Sequence, residues 1–400
     1  MNSSWRIARI FGIDIKLHLT WWFVFVLVIW SLSSSFFPQF FPGYGAKTYI
    51  FMGIMATILL FLSVLLHELS HCLVAKARRI RVESITLFFF GGVAGISDED
   101  ISPGSELLMA LAGPIFSLLL AALFFGITLL TTSAIIVAIS FYLYQLNLVL
   151  ALFNLIPGFP LDGGRALRAI LNAYYHDLKR ATKIAVFGGK LFAGVLVFFG
   201  ILQLWNQTSS GLWLLLLGGF LYVMAGASYE QVLFKDVLNK IFVSELMSKK
   251  IISLKPTHKF SEFTQKYSNS EEEVFLVKDK NFSGILDARR IQKTSREAQE
   301  RMTLKQLALP LNAVKGLQKE DTAYTAFKRF AEENMEILPV YQKSKIVGYL
   351  TRRVLMHRLI WSLKYGVQSK ASSKFNKKNP PLDQKNETPN PLLASETNQS

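Results

Sequence analysis

The chain has 400 residues, 51% of them apolar, with 44 Lys and Arg against 28 Asp and Glu, a formal charge of +16 and one cysteine, Cys72. A single cysteine excludes an internal disulfide framework and a multi-cysteine zinc site. The positive charge does not indicate nucleic acid: no RNA- or DNA-reading motif accompanies it, and many basic residues flank apolar runs, where membrane orientation accounts for them.

In chain order, MNSSWRIARIFGIDIKLHLTWWFVFVLVIW has the basic flank and apolar core of a signal peptide. No small-residue cleavage site follows and further spans do, so a retained anchor is expected. A bilayer core takes about 20 apolar residues per helix. Six segments qualify, at 19–37, 49–75, 106–130, 134–156, 184–205 and 211–230, predicting a polytopic α-helical membrane domain over 1–232 in the lipid bilayer of the cell. Arg6, Arg9 and Lys16 precede the first span; Lys76, Arg78, Arg79 and Arg81 follow the second; Arg165, Arg168, Lys179, Arg180 and Lys183 follow the fourth. The remaining inter-span loops hold only Lys47, so both termini are expected in the cytoplasm. Lys190, inside the fifth span, is read as snorkelling or facing the bundle.

LLHELSHCLV, in the second span, places His67, Glu68 and His71 among apolar residues. Residues four apart on a helix lie about 40° and roughly 6 Å from each other, so the two imidazoles can reach one metal from one face. Glu68 falls beside the metal rather than on it, where its carboxylate can take a proton from the attacking water and return it to the leaving amine. This is the H-E-x-x-H arrangement of zinc hydrolases. Ionisable groups inside a membrane helix are costly and point to function. Nine residues separate His67 from Lys76, which sets the site about 14 Å inward from the cytoplasmic boundary.

Hydrolytic zinc usually has three protein ligands, and NLIPGFPLDGGR, at 154–165, offers the third. Its prolines and glycines break the helix at the end of the fourth span, and broken backbone at that depth must be covered by protein or line a watery cavity. Asp162 is therefore expected on the same side as the histidines; the plainer alternative is that it caps a helix beginning near Arg165.

HELSH in an early span with NLIPGFPLDGG after a later one resembles the site-2 protease family of intramembrane zinc metalloproteases, over roughly residues 5–230. The resemblance implies one Zn2+ per chain held by His67, His71 and Asp162, with Glu68 as general base. It implies that Asn154 helps hold the oxyanion or the scissile backbone; a helix-end cap is the other reading. It also implies a single-pass or membrane-tethered protein substrate, cut near its cytoplasmic side in regulated proteolysis. FFFGGVAG, at 88–95, reads as short strands with a glycine turn; in the family such a segment lies near the active site and can add a substrate strand. Ala110, Gly113 and Ser117 read as helix packing, Cys72 as a small buried hydrophobe, and His18 is given no role. A transporter or channel, or an inactive scaffold of the same fold, are the competing classes; transport predicts ionisable residues spread over several spans rather than one metal-spaced cluster.

Segments 244–294 and 309–358 form an internal repeat, EEEVFLVKDKNFSGIL matching NMEILPVYQKSKIVGYL. With VSELMSKK and LPVYQKSKIVGYLTRR they resemble a CBS-domain pair, implying an α+β cytoplasmic domain over 233–365. Such pairs often bind an adenine nucleotide, but Arg290 and Val354 stand where an aspartate usually holds the ribose, so dimerisation through the pair is the alternative role. The Ser-, Lys-, Asn- and Pro-rich segment 366–400 is expected to be a disordered tail.

Overall fold

Alternation in IDIKLH turns Ile13, Ile15 and Leu17 to one face, and all three are buried. The computed structural model describes residues 4–88, 91–96, 101–207, 210–267, 274–287, 302–343 and 345–365. The 366–400 tail, Arg290 and residues 89–90 of FFFGGVAG lie outside the described residues. Strand β1 (Ser4–Ile10) pairs antiparallel with β2 (Ile13–His18) across Phe11 and Gly12, both at positive φ, 50° and 78°. Two consecutive positive-φ residues make the tight turn whose twist suits a hairpin. The helix of the expected anchor thus begins only at Leu19, because the period-two pattern before it forms a strand pair.

Helix α1 (Leu19–Ser31), capped by the His18 side chain accepting from the Thr20 amide, continues through a π-helical turn, Leu32–Phe36, into α2 (Phe37–Phe40). Then come α3 (Ala46–Ala77), β3 (Val82–Phe88), β4 (Gly91–Ile96), α4 (Pro103–Leu130), α5 (Ala134–Asn154), α6 (Asp162–Tyr175), α7 (Leu178–Trp205) and α8 (Ser210–Asn239). Strand β3 pairs parallel with β2 and antiparallel with β4, giving the sheet order β1-β2-β3-β4.

Among the described residues, six helices are long and apolar enough to cross a membrane: Leu19–Phe40, α3, α4, α5, α7 and α8. Their large apolar side chains, such as Phe23, Leu123 and Phe187, are exposed, whereas Ala56, Thr57, Ser117, Ala138 and Ala185 are fully or nearly fully buried. That inversion is what lipid dictates, since apolar side chains gain little by leaving hydrocarbon and small residues let helices approach. Lys190 stacks its ammonium 4.8 Å from the Tyr222 ring centroid, joining α7 to α8 and so facing the bundle. The sheet packs on α3: Ile13, Leu17, Ile85 and Leu87 share a core with Trp21, Leu69 and Cys72. Cys72 is buried there as a small apolar group.

The chain divides into two units, Met1–Val232 and Leu233–Ser400. The second contains α9 (Val243–Leu246), β5 (Ile252–Leu254), α10 (Phe260–Tyr267), β6 (Val274–Lys278), β7 (Ser283–Asp287), α11 (Leu304–Leu307), β8 (Leu309–Pro310), β9 (Leu317–Gln318), α12 (Ala323–Glu333), β10 (Ile337–Gln342), β11 (Lys345–Thr351) and α13 (Arg352–Tyr365). Strands β5 and β6 pair parallel around α10, and β6 and β7 antiparallel; β9, α12, β10 and β11 repeat that order and those pairings. The internal repeat in sequence is thus a repeat of a β-α-β-β unit. Each has its own core, Phe263, Phe275, Val277 and Leu286 in one, Leu317, Phe330, Leu338 and Val340 in the other.

Candidate metal centre

His67 and His71 lie one turn apart on α3, both buried, and Asp162 opens α6 as its first residue. The Asp162 carboxylate is not used as a cap: Leu161 holds the N-cap position, and Asp162 Oδ2 lies 3.3 Å from His67 Nε2 and 3.2 Å from His71 Nε2. The two Nε2 atoms are 3.2 Å apart. Side chains separated by 95 positions thus converge through one atom each.

The other ring nitrogens explain why these atoms face one another. His71 Nδ1 lies 2.6 Å from the Met109 carbonyl oxygen, which can only accept, so Nδ1 carries the proton and Nε2 presents a lone pair. His67 Nδ1 pairs with Ser117 Oγ at 2.9 Å. Met109, Gly113 and Ser117 are spaced four apart and form one stripe of α4, and a Cβ on Gly113 would stand 2.2 Å from His71 Nε2 and 2.6 Å from His67 Nε2. Pro114 lacks the amide hydrogen that would bond the Ala110 carbonyl, so the α4 ladder is interrupted beside Met109.

Two imidazole lone pairs and a carboxylate oxygen at this separation repel unless a cation lies among them. Tetrahedral zinc with ligands at about 2.0–2.1 Å holds them about 3.3–3.4 Å apart, close to the observed 3.2, 3.2 and 3.3 Å. The donor set and its spacing therefore fit zinc.

Glu68 is half-buried, and β4 lies over it: a Cβ on Gly92 would stand 2.4 Å from Glu68 Cγ. Of the short strands and glycine turn expected at 88–95, the strands are β3 and β4, with β4 at the sheet edge, but Gly91 and Gly92 lie in β4 rather than in a turn, and residues 89–90 lie outside the described residues. Asn154 is the last residue of α5 and half-buried, eight positions before Asp162.

Sequence reasoning missed the Met109 carbonyl, Ser117 as a histidine partner, the contact at Gly113, and an ion pair between Glu106 and Arg168. Glu106 in an apolar helix was the available signal. Gly113 and Ser117 are more than the packing stripe expected: one admits the two imidazole nitrogens and the other holds a ring.

Six helices able to span a membrane, two buried histidines meeting a partly buried aspartate, and a glutamate following the first histidine are the features of a membrane-embedded zinc metalloprotease. Peptidase family M50 matches residues 55–133 and 130–198. Rip3 of Mycobacterium tuberculosis is 30% identical over 360 residues, covering 88% of this chain and 91% of that one. Zinc metalloprotease MJ0392 of Methanocaldococcus jannaschii is 36% identical over 288 residues, covering 70% and 74%. A solved structure of the site-2 protease from Methanocaldococcus jannaschii is 33% identical and covers 56% of this chain and 95% of its own, at a TM-score of 0.40. The chain belongs to peptidase family M50, the site-2 proteases, and is a multi-pass membrane metalloendopeptidase that uses zinc.

Proposed function

We propose that His67, His71 and Asp162 hold one zinc ion per chain, that Glu68 is the general base, and that the substrate is a single-pass or membrane-tethered protein cut near its cytoplasmic side. The observation that carries this reading is the 3.2–3.3 Å triangle of Nε2, Nε2 and Oδ2 atoms. When bound, the zinc supplies Lewis acidity that polarises the scissile carbonyl and acidifies a water. The Glu68 carboxylate takes the proton from that water as its oxygen attacks, then gives it to the leaving amide nitrogen. The Asn154 side-chain amide donates to the substrate carbonyl oxygen or its neighbouring backbone.

A peptide bond inside a helix is shielded by its own hydrogen bonds, so the cleaved segment must unwind first. Substrates therefore carry a helix-weakening stretch near the cytoplasmic end of their span, and strand β4, at the sheet edge over Glu68, offers backbone groups to the unwound chain. Cleavage there releases a cytoplasmic fragment, which suits regulated proteolysis. The basic residues at Lys76, Arg78, Arg79, Arg81, Arg165 and Arg168 support a site near the cytoplasmic face and both termini in the cytoplasm.

Residues 1–232 form the catalytic domain in this reading, 233–365 the CBS-like pair and 366–400 a tail. The pair serves dimerisation rather than nucleotide binding, supported by Val354, exposed where the resemblance asks for a ribose-holding aspartate. The test of the function is incubation of the detergent-purified chain with single-span segments that differ only in a helix-breaking residue. Cleavage that requires the breaker and zinc supports the proposal; cleavage by Glu68→Gln at the wild-type rate overturns it.

A further inference from the structure

The candidate ligands sit on different elements, α3 and α6. His67 and His71 lie deep within the 32 residues of α3, each ring fixed from α4 through Ser117 or the Met109 carbonyl. Asp162 instead opens a helix just after the Pro157–Leu161 turn, which is held to α7 by the Phe159 amide donating to the Ala185 carbonyl at 3.1 Å, and a ligand must be held to within about 0.5 Å. Helix α6 packs on α4, the helix that fixes the histidines, and a charged pair joins the two. Arg168 donates from Nε to Glu106 Oε1 at 2.8 Å and from Nη2 to the same oxygen. Glu106 is 4% exposed and lies three residues, about 4.5 Å of helix rise, before Met109. Arg168 lies six residues, about 9 Å of rise, after Asp162. Its guanidinium also stacks 5.0 Å from the ring centroid of Phe159, in the turn that leads into Asp162.

We propose that the Glu106–Arg168 pair is the positioning element of the metal centre: it sets the Asp162 carboxylate against the two imidazoles by tying α6 and the preceding turn to α4. The inference rests on the reading of His67, His71 and Asp162 as the zinc ligands. Neither Glu106 nor Arg168 touches the three ligand atoms among the described contacts, so both act through others. An exposed ion pair contributes little, but a buried one left half-broken strands a charge in a low-dielectric region. The pair therefore holds one geometry rather than a range of them. Without it, α3 and α4 still present two imidazoles, and the oxygen ligand loses its fixed distance.

The experiment uses the full-length chain in detergent, measuring Zn2+ affinity by competition with a chromophoric chelator and the visible d–d spectrum after Co2+ loading. Glu106→Gln and Arg168→Lys are expected to weaken zinc about 10–100-fold, the range for partners that orient metal ligands, and to change the cobalt spectrum. The exchanged double variant, Glu106→Arg with Arg168→Glu, should recover most of the affinity. Glu106→Leu with Arg168→Met removes both charges, strands neither, and should fold while still losing at least about tenfold in affinity. Wild-type affinity and an unaltered cobalt spectrum in that apolar double variant would overturn the proposal, whatever the single variants do to folding. Failure of the ligand reading is distinguishable: zinc would then bind His67→Ala as tightly as wild type, or not bind wild type at all.

Discussion

Gly113 and His71 meet at a distance that no side chain survives: a Cβ on the glycine would stand 2.2 Å from His71 Nε2. Gly113→Ala should push α4 off the histidines, destabilise the fold by about 1–3 kcal/mol, as overpacking does, and weaken zinc binding. Chelator competition and thermal melting of the purified variant check both. Tight zinc binding by this variant would mean that the contact is not part of the site.

Ser117 and Met109 provide a contrast between side chain and backbone. Ser117→Ala removes the partner of His67 Nδ1 and should lower zinc affinity about 10–100-fold. Met109→Leu keeps the carbonyl that accepts from His71 Nδ1 and conserves volume, so zinc affinity should be unchanged and stability should fall by less than about 1.5 kcal/mol. Isothermal titration with Zn2+ separates the two.

How much of this was legible follows from what each group contributes. His67, Glu68 and His71 stood out because ionisable residues inside an apolar span are costly and the histidine spacing suited one metal, and Asp162 because the prolines and glycines around it break the chain after the fourth span. Helix existence was equally plain, since runs such as 106–130 satisfy only a membrane core. The Met109 carbonyl was invisible because every residue has one, and Gly113 because its contribution is an absent Cβ. The pairing of Glu106 with Arg168 spans 62 positions, and Arg168 had an adequate explanation as a loop charge. The β1–β2 hairpin was written in IDIKLH and the Phe11-Gly12 turn, but the basic flank before a long apolar run suggested an anchor first.

Glu68→Gln keeps the shape of the side chain and loses the proton-accepting oxygen. Cleavage of a single-span substrate should fall about 10²–10⁴-fold, the usual contribution of a general base, with zinc content unchanged. Parallel activity and metal analysis would expose a metal-holding role for Glu68 if both were lost together.

Orientation has a direct chemical readout because the one native cysteine, Cys72, is buried. Lys47→Cys should react with a membrane-impermeant maleimide in intact cells. Asp177→Cys, between α6 and α7, should react only after permeabilisation. The reverse pattern would invert the proposed topology and place the metal site near the opposite face.

Whether two imidazoles of one spanning helix and the Asp162 carboxylate share a single ion is read most directly by zinc-edge X-ray absorption of the purified chain. The expected spectrum has nitrogen and oxygen neighbours at about 2.0–2.1 Å, two of them imidazoles, and no sulfur shell. A sulfur neighbour at about 2.3 Å, or a chain that retains no zinc after loading, would contradict the account.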